Sequence, residues 1–286
     1  MKTLKTAFLL TALTLLLLFI GEALGGSNGM TIALVFAVLM NGGAYFFSDK
    51  IALKSSGAVP ISREESPRLY AVMERLAAKA NLPMPKLYMI PQAAPNAFAT
   101  GRNPSHASVA VTQGLMEIMN DDELEGVIAH ELSHVRNYDI LTSSIAATLA
   151  GAITWIGHMG RWGIMLGGIG GGGGRNRGGG LGALLMVILA PIAALLLQLG
   201  ISRQREYQAD ASGVQMIGHA NGLISALEKL GAYNKKIPMN VPASTSALMI
   251  VQPLSAGQLF SGLFSTHPPL SDRIAELRNI MTTTRS

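Results

Sequence analysis

The sequence predicts an integral membrane α+β protein, with two to four transmembrane helices and a mostly helical polar domain that holds a small β-sheet. Three observations carry this. The 286 residues are 49% hydrophobic and only 14% charged, with a mean hydropathy of +0.35, whereas about a quarter of the residues of a soluble domain are charged. Four long apolar segments fall into two pairs. The polar stretches between and after them alternate between helical and strand-like periodicity.

The first pair lies between Lys5 and Asp49, where Glu22 is the only charge. Gly25-Gly26-Ser27-Asn28-Gly29 breaks the run, leaving Thr6 to Leu24 and Met30 to Phe47, each close to the roughly 20 residues that a span needs. Lys2 and Lys5 ahead of an apolar run also suit a signal peptide, but the second run that follows at once favours a retained hairpin. In the second pair, no Asp, Glu, Lys or Arg occurs from Ile140 to Gly160 or from Gly178 to Ser202. The glycine-rich stretch between them lacks a Gly-Lys-Ser/Thr and reads as a connector. Ser48 to Asp139 carries nine Lys and Arg, and the 25–29 loop none. The positive-inside bias therefore puts the polar domain and the N-terminus in the cytoplasm.

There is no cysteine, which excludes disulfides, thiol catalysis and cysteine-ligated metal. The net charge of +5 is not gathered into a basic stripe, and no nucleic acid is expected as a partner. The spacing predicts a helix over Ser62 to Asn81, with Ser62 and Glu65 placed as a capping box. Short strands are predicted at Lys86 to Ile90, Ala97 to Thr100 and Ala107 to Thr112. Another helix is predicted at Asp121 to Asn137, with acidic residues in its first turn.

That last helix contains His130-Glu131-Leu132-Ser133-His134. Histidines at i and i+4 share one helix face and reach one ion. Glu131 is placed to take a proton from a water that Zn2+ has acidified, and to return it to a leaving amine. A catalytic zinc needs a third protein ligand, and Glu206 is the candidate. Asp210 lies one turn further on and would accept the free N–H of a ligating imidazole. Both metal-binding segments must lie on one side of the membrane, and the two apolar segments between them allow this. The chain then divides into an N-terminal transmembrane hairpin (1–48), a first catalytic part with the zinc helix (49–139), the second hydrophobic pair (140–201) and a second catalytic part with the third ligand (202–286). His106, His158 and His219 read as structural or solvated, and spacing alone makes His267 a loop histidine. A zinc-binding sensor or transporter would place ligands inside its spans. A membrane scaffold would have no use for the paired Glu206 and Asp210.

Taken in order, the two N-terminal spans, His130 to His134, the second apolar pair, Ser202 to Asp210 and Phe264-Ser265-Thr266-His267-Pro268-Pro269 closely resemble the HtpX membrane zinc peptidases of bacteria. The resemblance covers essentially the whole chain, and it extends more distantly to the eukaryotic endopeptidases that process prenylated proteins. It implies a gluzincin-like metallopeptidase domain on the cytoplasmic face of the bacterial inner membrane, holding one zinc per chain. It also implies quality control of unfolded or damaged membrane proteins alongside an ATP-dependent membrane protease, and self-cleavage. It assigns His130, His134 and Glu206 as ligands, Glu131 as base, Asp210 as partner of a ligand histidine, His267 as a donor to the oxyanion, and Arg273 as a group orienting that region. Asn96, Ala97, Phe98 and Ala99 resemble the strand lining the family's cleft, whose open edge takes an extended substrate. Ala232 to Leu263 reads as mostly loop and is expected to cover the cleft.

Overall fold

The computed structural model describes residues 4–167, 192, 195, 202–253 and 267–283. Helix α1 (Leu4–Ser55) consists of two arms joined at Gly26, whose φ of 59° and ψ of −146° only glycine adopts without strain. The arms fold back on each other. Asn41 on the second donates to the Thr14 hydroxyl (2.8 Å) and the Leu10 carbonyl (3.4 Å) on the first. The arms form a helical hairpin whose turn lies inside the predicted break. The stretch Gly25–Ser55 is long and apolar enough to cross a membrane. Phe36, Leu39, Phe46 and Phe47 stay exposed along the second arm.

The four-stranded mixed sheet runs β1-β2-β4-β3. Lys86–Ile90 (β2) and Ala107–Thr112 (β4) pair parallel, and Ala97–Gly101 (β3) joins β4 antiparallel. All three occupy the predicted strand positions. The two-residue β1 (Val59–Pro60), antiparallel to β2, is too short to leave a period in the sequence. Helix α2 (Pro67–Lys79) is shorter than the predicted Ser62 to Asn81. Ser62 and Glu65 do exchange the reciprocal bonds of a capping box, but around a separate turn. Pro67 keeps Ser66 out of the helical region, so the helix starts only at the proline.

A short α3 (Gln113–Ile118) leads into α4 (Asp121–Asn137), the predicted metal helix. Asn120 and Glu123 close a complete capping box at its start, and Glu123 also accepts from Lys229 and Ser225. At its end Tyr138 adopts a left-handed conformation (φ 62°), which ends α4 and lets α5 (Asp139–Gly167) leave in a new direction. Helix α5 covers the third apolar segment and packs on α1 through Leu9, Leu13, Ala44, Ile145 and Leu149. A buried Thr6–Thr142 hydroxyl bond of 2.8 Å ties the two. The fourth apolar segment and the glycine-rich connector lie outside the described residues, except for Ile192 and Leu195.

Helices α6 (Arg203–Ile217), α7 (Asn221–Asn234) and α9 (Leu270–Thr283) complete the domain. The core gathers Leu124, Ile128, Leu132, Leu223, Leu227 and Leu277 between α4 and its neighbours. Helices α4 and α7 approach so closely that a Cβ on Gly222 would stand 2.1 Å from the Asp122 carbonyl, and one on Gly126 would stand 2.6 Å from the Leu223 nitrogen. Backbone cannot yield as a side-chain tip does. Gly222→Ala is therefore expected to destabilise the protein by about 1–3 kcal/mol or more, lowering the thermal midpoint in detergent, and an unchanged midpoint would contradict this packing. Of the Ala232 to Leu263 stretch, residues 254–263 lie outside the described residues, and residues 232–253 are more ordered than their composition predicts. They begin within α7, form α8 (Ala243–Ser246), and bury Val241, Met249, Ile250 and Val251.

Candidate metal centre and cleft

Helix α4 delivers His130 and His134 from one face, and α6 crosses it with Glu206 and Asp210 from another. Small residues permit the crossing: a Cβ on Gly213 of α6 would stand 3.2 Å from the His130 backbone nitrogen. The Nε2 atoms of the two histidines are 3.2 Å apart. Glu206 Oε1 is 3.4 Å from His134 Nε2, and Oε2 is 3.7 Å from His130 Nε2. Tetrahedral ligands at ~2.0–2.1 Å from an ion are spaced about 3.3 Å apart, so one ion fits the three groups. Glu206 Oε2 is buried with no well-aligned hydrogen bond among the described residues, facing His267 Nδ1 at 3.2 Å and Arg273 Nη1 at 3.6 Å, which leaves its lone pairs open to an ion. Among the described residues, these three form the group of His, Asp and Glu side chains able to hold a metal ion.

The surroundings gather positive charge. Burial opposes protonation of His134, but Glu206, Asp139 and Glu131 outweigh it and push the His134 pKa up to about 10. Glu206 itself is held well below the usual carboxylate range; burial opposes this, but His267 and His134 prevail. His130 is pushed down by burial and by the Arg273 charge, despite Asp210. Metal binding at such a site displaces a proton.

Asp210 stands 2.8 Å from His130 Nδ1 and takes a two-pronged grip from Arg273, at 2.8 Å from Nε and 2.7 Å from Nη2. The guanidinium is fully buried. Its charge and hydrogen bonds hold Asp210 down in pKa against burial. Arg273 thus fixes the carboxylate that faces His130. Asp210→Ala is expected to weaken metal affinity ~10–100-fold, read by competition with a chelator; unchanged affinity would show that Asp210 serves packing alone.

His134 has an equivalent partner that sequence reasoning missed. Asp139 Oδ2 is 3.4 Å from His134 Nδ1, and Oδ1 is 3.4 Å from Arg205. The left-handed Tyr138 turns the chain so that Asp139 faces back along the helix. Nothing in the sequence marks a tyrosine for that conformation.

Glu131 is buried, and burial pushes its pKa up to about 7, with His134 pulling the other way and Glu206 adding to the rise. The Ala99 backbone N–H also lowers it, so Glu131 sits beside β3. Strand β3 ends the sheet, and the predicted cleft residues Asn96, Ala97, Phe98 and Ala99 are all buried. Asn96 and Ala97 bond to residues 250 and 251 of the same chain. His267 reaches the site: its Nδ1 is 3.2 Å from Glu206 Oε2 and its Nε2 is 3.1 Å from the Ala247 carbonyl. His106 and His219 are exposed and away from the centre, and His158 lies in α5.

Two histidines one turn apart, a carboxylate from a crossing helix as the third group and a buried glutamate beside them fit a metallopeptidase. The profile of Peptidase family M48 matches residues 63–281. A protease HtpX homolog of Desulfatibacillum aliphaticivorans is 54% identical over 273 residues, spanning 96% of this chain and 88% of that protein. Another, of Syntrophobacter fumaroxidans, is 51% identical over 278 residues, spanning 96% of this chain and 98% of that protein. The crystal structure of S. mikatae Ste24p superposes with a TM-score of 0.53 at 21% identity, over 96% of this chain and 64% of that longer one; this likeness concerns the fold. The chain belongs to peptidase family M48 and is a metal-dependent peptidase.

Proposed function

We propose that this protein is a membrane-bound zinc endopeptidase that cleaves unfolded or damaged membrane proteins. The observation that carries the reading is the convergence of His130, His134 and Glu206 on one point, with Glu131 buried between that point and the edge of β3. Two imidazoles and one carboxylate suit zinc, which when bound acidifies a water and polarises the scissile carbonyl. Glu131, with its raised pKa, takes the proton from the attacking water and carries it to the leaving amine. Asp210 and Asp139 hold the two imidazoles in orientation. His267, beside Glu206, donates to the oxyanion of the tetrahedral intermediate. The Asn96 to Ala99 edge positions an extended substrate by its backbone.

The α1 hairpin anchors the chain, its exposed Phe and Leu side chains facing lipid. The basic stretch after it supports a catalytic domain in the cytoplasm, on the bacterial inner membrane, and the second apolar pair would bring the spans to two to four in all. Backbone-led recognition suits a quality-control role shared with an ATP-dependent membrane protease. A chelator test addresses the metal. Prolonged chelation of detergent-purified protein should abolish casein cleavage, and a stoichiometric addition of Zn2+ should restore it. Cleavage that survives complete metal removal would sink the proposal.

A further inference from the structure

The cleft edge is already paired, and the partner is this chain's own segment 247–252. The Ile250 N–H donates to the Ala97 carbonyl at 2.9 Å. The Asn96 side chain brackets Val251, donating to its carbonyl at 2.7 Å and accepting from its N–H at 3.4 Å. Residue 250 thus lies opposite 97 and residue 251 opposite 96, the antiparallel sense of an added strand. Arg273 Nη1 donates to the Ile250 carbonyl at 2.9 Å, and His267 Nε2 is bonded to the Ala247 carbonyl. Four polar groups of the cleft, on Asn96, Ala97, His267 and Arg273, are therefore satisfied by one short length of backbone. The Ile250 and Val251 side chains are buried in the same apolar cluster as Ala97, Ala99, Ala129 and Leu132.

We infer that Ile250–Val251 is an internal ligand of the Asn96–Ala97 edge, which a substrate displaces in order to bind, and that this seat selects two consecutive β-branched aliphatic residues in an extended chain. The inference deepens the peptidase reading and rests on it. The exchange replaces like with like: the incoming backbone takes over the bonds of Asn96, Ala97 and Arg273, and its side chains refill the pocket left by Ile250 and Val251. Folded proteins hide such aliphatic pairs in their cores, so a seat of this kind recognises chains that have lost their fold. Its occupancy at rest keeps the cleft from pairing with every exposed strand.

The test measures binding apart from turnover, on full-length, zinc-loaded Glu131→Gln protein in detergent. The probes are two fluorescein-labelled decapeptides, one with Ile-Val at its centre and one with Gly-Gly. Asn234 donates to the Gln252 carbonyl at 2.7 Å, and the chain has no cysteine of its own, so Asn234→Cys with Gln252→Cys makes a tether beside the segment. Oxidation of that pair should weaken Ile-Val peptide binding at least tenfold, with recovery on reduction; equal affinity in both states overturns the inference. Val251→Pro removes both the N–H held by Asn96 and the Val251 side chain from its pocket, loosening the segment without a tether, so it serves even if the tethered protein fails to fold. It should tighten Ile-Val binding several-fold and leave Gly-Gly binding at least tenfold weaker. Weaker Ile-Val binding at unchanged zinc content would show that the segment builds the cleft wall, and equal binding of the two peptides would remove the selectivity. Absence of casein cleavage by wild type, with these binding differences intact, would sink the peptidase reading and not the displaceable segment.

Discussion

Glu131→Gln should reduce the rate of casein cleavage by about 10²–10⁴-fold without loss of metal. Glutamine keeps the shape of the buried side chain, so α4 and β3 should keep their packing. It is not one of the three proposed ligands. What it loses is a carboxylate whose pKa, pushed up to about 7 by burial, lies near the pH at which it must accept a proton and then release it. The effect should therefore fall on kcat, with KM little changed, because substrate is held by the strand edge. Equal losses of metal and activity would instead show that Glu131 supports the ion.

Glu206→Gln should have the second large effect and the opposite signature. Replacing a direct ligand should lower metal affinity by more than the ~10–100-fold expected for an outer partner, so the purified protein should contain little metal and cleave nothing. Glu206 also carries negative charge that offsets Arg273, 3.6 Å away, and raises the pKa of His134. Adding excess Zn2+ should recover activity in part if only affinity has fallen. A zinc-replete Glu206→Gln protein would contradict its assignment as a ligand.

Much of this arrangement was legible in the sequence because it depends on local periodicity. The i, i+4 spacing of His130 and His134 works through one helix turn, as does that of Glu206 and Asp210, and the strands β2 to β4 are bounded by Pro, Asn and Gly. The hairpin turn at Gly26 was announced by its glycines. What was not legible depends on partners far apart in the chain. Asp139 serves His134 only because Tyr138 adopts a left-handed conformation, and Arg273 is committed to Asp210 across 63 residues. The start of α2 was misplaced because a capping box and a proline competed, and the proline prevailed. The 247–252 segment looked like loop because its order comes from docking on β3 rather than from any period of its own.

The central claim, that His130, His134 and Glu206 hold one zinc which Glu131 serves as base, is tested most directly by one paired measurement. Zinc per chain and casein cleavage would be determined side by side on freshly purified wild type, Glu131→Gln and Glu206→Gln. The account predicts about one zinc and cleavage for wild type, about one zinc and almost no cleavage for Glu131→Gln, and neither for Glu206→Gln. An active wild type free of zinc, or a Glu131→Gln protein that cleaves as fast as wild type, would contradict it.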